Sequence, residues 1–462
     1  MKPSYLRLFL FSMFIFVVPW FFLYKSRINN LPIQSEDTIP AIFLPVTILK
    51  EKTLNLNTYY EMMLERYPHP DDRDQKDGLV PYYLREINGN YLSAFPIITP
   101  ILSIPIYAIP VLLGIEITWE NLIILSHISS AVIVSLSGVF LLYLLENYFE
   151  LNSKKSLILV LIYLFATINL SLLSQALWQH GTIALFTILA LIFLYRSFYS
   201  KNKNIFDFNM SLVGLMLTLA FLTRPTALLL VPFFGLLILE KSKFTMNLIY
   251  KIMSFILGTF PALGFFYWYN QAFYQDFSNQ GYSDQFMNSW LSPFPEGFLG
   301  MWFSPSKGIL IYSPILIFSI IGLYLAIRKG QWRINYRYIV FACIVILHTL
   351  FLSIWKHWYG GWGFGYRMAS DVLVFFILLL VPYITSEFFH KFKKLFYFLF
   401  AVSVGVQIMG LVFFDGVWHA AYDDGFRDTA WLWSVENSET VFNIRRILVK
   451  FGYLDKACPQ CL

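Results

Sequence analysis

The sequence predicts an all-α polytopic membrane protein with about eleven transmembrane helices. Three observations carry that expectation. The 462 residues are 57% hydrophobic and only 13% charged, with a mean hydropathy of +0.59; a soluble core cannot hide that much apolar surface. Apolar stretches of roughly 14 to 25 residues recur along the chain, against the roughly 20 that a span needs. Aromatic residues reach 19%, with 47 Phe, 29 Tyr and 13 Trp, the types that face lipid and gather at its interface with water. The formal charge of +6 forms no basic stripe, so nucleic acid is excluded as a partner and the bilayer takes its place.

The spans are expected at about 6–24, 121–145, 156–174, 181–199, 209–222, 226–239, 248–270, 309–327, 338–355, 371–389 and 396–414. The first is long for a signal peptide, lacks a small-residue cleavage pattern and ends in Lys25 and Arg27, which reads as a retained anchor. Residues 95–113 are set apart. Pro96, Pro100, Pro105 and Pro110 remove helix donors and crowd the preceding turns, so a re-entrant or surface-embedded segment is expected there.

Charge then fixes the sides. With the N-terminus cytoplasmic, the inner loops carry Lys154 and Lys155, Arg196, Lys201 and Lys203, Lys241 and Lys243, Arg328 to Arg337, and Lys391 to Lys394. The outer segments hold most of the acids. This is the positive-inside pattern, and counting 95–113 as a span would reverse it. The outer face receives the loops 25–120, 271–308 and 356–370 and the tail 415–462. The expected organisation is a transmembrane domain over 1–415, whose long first outer loop carries membrane-surface helices, followed by a short non-cytoplasmic tail over 416–462.

Four places can carry chemistry. Glu36-Asp37 opens the long outer loop, just before an apolar run from Thr38 to Lys50 expected to lie on the membrane as a helix. As solvated loop carboxylates they would do nothing; as functional groups, Asp37 would take a proton from an acceptor hydroxyl, or the pair would hold a divalent metal. Gln179-His180 sits at an outer turn between spans, suited to a phosphate or sugar hydroxyl. Arg224, in Leu-Thr-Arg-Pro, caps two short spans, where a charge at membrane depth signals function unless it snorkels to water. The loop from Trp355 to Asp371 places four glycines among six aromatic rings, Tyr366 included, with Lys356, His357 and Arg367. Glycines admit close backbone approach, aromatic faces stack on sugars, and Lys and Arg bind phosphate. Asp71 to Gly78 fails as a calcium loop, because Lys76 stands at a ligand position and Tyr83 at the twelfth. Cys458 and Cys461, in Cys-Pro-Gln-Cys, suit a local disulfide outside the cytoplasm, and Cys343 suits inert packing within a span.

In their order and common side, these features resemble the GT-C superfamily of membrane glycosyltransferases. The likeness is to the protein O-mannosyltransferase and aminoarabinose-transferase branch and its bacterial relatives without an assigned acceptor. It covers about residues 1–415. It rests on the acidic pair, the Pro-rich stretch, Gln179-His180, Leu222 to Pro225, and the Gly-Gly to Asp371 stretch. The resemblance implies a polyprenyl-phosphate-linked sugar donor, an inverting single displacement, an active site on the non-cytoplasmic face and Asp37 as the catalytic acidic residue. Arg224, Lys356 and Arg367 are then expected on the phosphate, with Gln179, His180, His357, Tyr366 and Asp371 around donor phosphate or sugar. The branch carries a further outer binding domain, whereas this chain shows short outer loops, so the acceptor (protein, lipid or glycan) stays open, as does the metal. The other classes weighed are a flippase or transporter of a lipid-linked saccharide and a surface-polysaccharide polymerase or ligase. Transporters show inverted repeats and midplane sites; here the unusual residues lie at one face and the span count is odd. The expected location is a bacterial or archaeal plasma membrane.

Overall fold

Ionic and apolar residues separate along this chain into helices, turns and a short hairpin. The computed structural model describes residues 3–26, 32–68, 80–200, 205–243, 245–275, 292, 294–328, 335–423, 425 and 427–458. The Asp71–Gly78 stretch and Cys461 lie outside the described residues.

Among the described residues, eight helices are long and apolar enough to cross a membrane: Pro3–Lys25, Trp119–Tyr148, Gln179–Tyr199, Pro225–Ser242, Met246–Tyr274, Tyr336–Ser353, Arg367–Ile384 and Lys393–Phe413. Ile98–Leu112, Phe208–Thr223 and Pro314–Ile327 are shorter apolar helices. The protein is an all-α polytopic membrane protein. Among the described residues, one hairpin pairs Leu84–Ile87 with Asn90–Ser93 in antiparallel register, Leu84 opposite Ser93.

The chain forms two units. One holds Met1–Gln34, Leu145–Gln175 and Ser289–Leu462; the other holds Ser35–Leu144 and Ala176–Asn288.

In the Ser35–Leu144 and Ala176–Asn288 unit, Phe208–Thr223 packs against both Gln179–Tyr199 and Met246–Tyr269. Asp207 starts it: its carboxylate accepts from the Met210 N–H at 3.1 Å and from the Ser197 hydroxyl at 2.5 Å. Glycine sets the helix spacing. A Cβ on Gly214 would stand 2.1 Å from the Phe255 carbonyl oxygen, and one on Gly258 would stand 1.8 Å from that of Ser211. The proline-rich stretch is helical over Ile98–Leu112. Pro100 falls in the first turn, where no N–H is needed, and Pro105 and Pro110 are carried inside. Its buried Tyr107 donates to the Ile42 carbonyl at 3.1 Å. The run after Asp37 also forms a helix, Ile39–Val46, but not one with an open face: every residue except Ala41 is buried. Phe43 packs on Tyr59 and Trp119, so this helix is clothed in protein.

In the other unit, Ser153–Phe165 is capped by Asn152, whose side chain accepts from the Lys155 N–H at 2.9 Å. The stretch expected as one span over 309–327 is broken at Ser313-Pro314 into Ile309–Tyr312 and Pro314–Ile327, since proline forbids continuous hydrogen bonding there. Gln407 closes the break by donating to the Tyr312 carbonyl at 2.9 Å while accepting from Ser171 at 2.6 Å. Leu373–Ile384 is apolar on all sides and buried in all but Pro382, the mark of a central helix. Gly322 lets Pro314–Ile327 approach it; a Cβ there would meet the Leu379 carbonyl oxygen at 1.9 Å. The tail folds back within this unit. Arg446 grips Asp415 through both nitrogens, at 3.2 and 2.5 Å. Cys458 is in a disulfide and Cys343 is free.

Candidate functional site

Glu36 and Asp37 form a 3-10 turn, Glu36–Thr38, capped by Ser35. The short polar side chain of Ser35 accepts from the Asp37 N–H at 3.4 Å, and Thr38 donates its hydroxyl to the Ser35 carbonyl at 2.9 Å. Both carboxylates are half-buried. Tyr82 donates its hydroxyl to Asp37 Oδ1 at 2.9 Å and so fixes the plane of that carboxylate. Burial first, and then the nearby Glu36, push the Tyr83 phenol up from its ordinary value. The hydroxyl of Tyr83 donates instead to the Tyr67 carbonyl at 2.8 Å.

The same unit carries Gln179, His180 and Arg224. Gln179 opens the helix Gln179–Tyr199, with His180 buried in its first turn. Arg224 is 9% exposed. Its Nη1 stands 2.8 Å from His180 Nδ1 and 2.6 Å from Nε2. Guanidinium only donates, so the imidazole can meet it with one ring nitrogen as acceptor. Ala41, just beyond Asp37, and Leu177, just before His180, belong to one apolar cluster with Ile133 and Leu185. Two residues before Arg224, Leu222 lines an apolar groove with Phe95, Ile98, Phe265 and Tyr269.

The glycine loop and its cations lie in the other unit. Gly360, Gly361 and Gly365 have φ of +80, +61 and +64°, a region that side chains with a Cβ rarely enter. The stem of Arg367 runs along the loop: a Cβ on Gly360 would stand 3.2 Å from its Nε, and one on Gly363 3.4 Å from its Cδ. Arg367 is buried, while Lys356 is exposed and His357 half-buried. Burial, then Lys356, lower the His357 pKa to about 4, so this ring is neutral and suits a hydroxyl better than a phosphate. Tyr366 is turned inward, its hydroxyl 2.7 Å from Ser313 Oγ. Asp371 is buried opposite His348, Oδ2 to Nε2 3.5 Å.

Sequence reasoning missed the group beneath the loop. Lys307 is 1% exposed. Its ammonium donates to the Gly361 carbonyl at 3.4 Å and to the Gly363 carbonyl, and stands 3.1 Å from His419 Nε2. Burial lowers its pKa to about 8. Burial, then Lys307, push His419 well below its ordinary value. Nearby, Glu439 accepts from the Tyr312 hydroxyl at 3.0 Å, and burial raises its carboxyl to about 7. The signal for Lys307 was thin: one lysine beside Gly308 in a loop between expected spans. Glu439 and His419 lay in a tail read as a short appendage. Tyr82 and His348 carried no signal at all.

Among the described residues, no three His, Cys, Asp or Glu side chains gather into a metal-ligand set. Glu36 and Asp37 offer two adjacent carboxylates, a number that suits a magnesium-like ion sharing its shell with substrate phosphate and water. No protein-family model matches this chain, and no curated protein matches it.

Proposed function

We propose that the protein is a membrane glycosyltransferase of GT-C type, moving a sugar from a polyprenyl-phosphate donor to a hydroxyl acceptor on the non-cytoplasmic face. One observation carries this reading. A single unit holds an oriented, half-buried carboxylate, a buried arginine against the first turn of a 21-residue helix, and an apolar groove beginning two residues from that arginine. These are the parts the reaction needs. Asp37 takes the proton of the acceptor hydroxyl as that oxygen bonds to the anomeric carbon. The bond from that carbon to the phosphate oxygen breaks on the opposite side, inverting the centre and releasing polyprenyl phosphate. Arg224 and the positive end of Gln179–Tyr199 offset the charge that develops on the leaving phosphate. The groove, small and apolar, offers a contact for the start of the isoprenoid tail.

The reading includes about eleven spans, with the short helices Ser153–Phe165, Phe208–Thr223 and Pro314–Ile327 also crossing, and a bacterial or archaeal plasma membrane. Purified protein given a panel of radiolabelled polyprenyl-phosphate monosaccharides and membrane extract as acceptor source, with and without EDTA, tests it. Wild type is expected to release sugar from at least one donor. Asp37→Asn should cut that release by at least about 100-fold, the lower range for a positioned base, while leaving thermal stability unchanged. Full activity in the variant removes Asp37 as the base. Donor binding without turnover by wild type favours the transporter reading instead.

A further inference from the structure

The glycine-loop unit presents an indole that nothing in the transfer chemistry uses. Trp362 follows Gly360 and Gly361, both at positive φ, and is 38% exposed. Its ring is not loose. One face stacks on the buried His419, centroids 5.5 Å apart and planes 25° apart. Its Nε1–H donates to Asp423 Oδ2 at 2.8 Å. His419 is itself wedged against Trp418 at 4.7 Å and Trp431 at 6.0 Å. Lys307, held by the loop carbonyls, backs Trp418 at 5.7 Å. The result is a rigid indole with one face backed and the other outward.

The rim around it mixes charges. Asp423 and Lys356 both act on His357, and Asp423 and Asp428 both act on Tyr359. Tyr359 in turn packs edge-on against Trp431 at 6.1 Å. Carboxylates at the rim disfavour hydrocarbon, because a charge moved into lipid loses its hydration. The exposed Lys356 disfavours a cationic ligand. A ring that offers apolar C–H faces to an aromatic plane, and hydroxyls that both donate and accept at its edge, matches both features.

We infer that Trp362 is the platform of a pyranose-binding subsite, with Asp423 fixing the indole and the rim carboxylates accepting from sugar hydroxyls. This rests on the glycosyl-transfer reading and names its acceptor class: a glycan, bound through a pyranose stacked on Trp362.

The test uses the full chain in nanodiscs on an array of neutral hexose and N-acetylhexosamine oligosaccharides. Wild type is expected to bind at least one class. Trp362→Ala should weaken that binding at least about 10-fold, and Trp362→Phe, which keeps an aromatic face, should stay within about 3-fold of wild type. No binding by wild type across the array overturns the inference, as does equal binding by Trp362→Ala. Fluorescence of wild type less that of Trp362→Phe, in brominated phosphatidylcholine, guards against a membrane belt: strong quenching of that difference also overturns it. Sugar release from the polyprenyl-phosphate panel is read in parallel. Lost oligosaccharide binding with release intact defeats this subsite alone. Oligosaccharide binding without any release defeats the transfer reading and leaves the pyranose subsite standing.

Discussion

Single buried groups in the glycine-loop unit set how its stability responds to pH. Glu439 titrates at about 7 when folded against 4.5 ordinarily. A carboxyl raised in this way contributes stability that is full below pH 4.5 and lost as pH rises to about 7. His419 does the opposite: held below its ordinary 6.5, it contributes above that value and loses its contribution as pH falls. Lys307, lowered from 10.5 to about 8, contributes fully above 10.5 and loses that as pH falls to about 8. Between pH 4.5 and 6.5 the first two slopes oppose each other in wild type, so the carboxyl must be isolated by substitution. Glu439→Gln cannot ionise. Its stability relative to wild type should climb from pH 4.5 to about 7, by on the order of 3 kcal/mol, and stay level above. Tryptophan-fluorescence melts of both proteins across that range check this. A flat difference removes Glu439 from the buried charge group.

At the scale of the element, glycine decides which helices lie close, and the decision is testable by contrast. Phe208–Thr223 and Met246–Tyr269 approach at Gly214 and Gly258, where the facing atom is a backbone carbonyl rather than a yielding side chain. Gly258→Ala therefore has to push the helices apart, at a cost of about 1–3 kcal/mol. Gly235, within Leu230–Ser242, has nothing within 4 Å of a Cβ, and Gly235→Ala should be neutral or stabilise by up to about 1 kcal/mol. Detergent melts of the two variants check the pair; equal midpoints would refute the close-packing account. This element was only half legible in the sequence. Hydropathy located both helices to within a few residues, because burial in lipid or protein demands apolar runs. It did not reveal which glycines face a partner backbone, since that depends on rotation about the helix axis. The prolines were half legible too. Pro105 and Pro110 argue against a clean span, but not that the stretch is helical over Ile98–Leu112, its Tyr107 tied to the Ile42 carbonyl. The helix after Asp37 was legible as a helix but not as a buried one, because Phe43 finds Tyr59 and Trp119 only in three dimensions. Likewise Arg224 announced itself by lying at a span end, while Lys307 looked like ordinary loop charge until the Gly361 and Gly363 carbonyls closed over it.

For the whole molecule, the sides of the membrane follow from where the charges fall. Lys154 and Lys155 begin Ser153–Phe165 just after the helix Trp119–Tyr148, and the positive-inside rule sends such pairs to the cytoplasm. Asp428 stands exposed after the helix Lys393–Phe413, near Trp431. Nine of the expected spans, an odd number, separate those two points, so if each of them crosses the two must lie on opposite faces. A cysteine at each position reads this out in a Cys343→Ser background, with Cys458 already in a disulfide. In intact cells, a membrane-impermeant maleimide should label Asp428→Cys and spare Lys155→Cys, which should react only after permeabilisation. The same experiment bears on the chemistry, because the acidic turn belongs with the outer segments under this topology. Labelling of Lys155→Cys from outside would invert the arrangement and, with Ile98–Leu112 not spanning, put Glu36 and Asp37 in the cytoplasm. A lipid-linked sugar presented on the outer leaflet would then be out of their reach, and the donor would have to be sought on the inner leaflet instead.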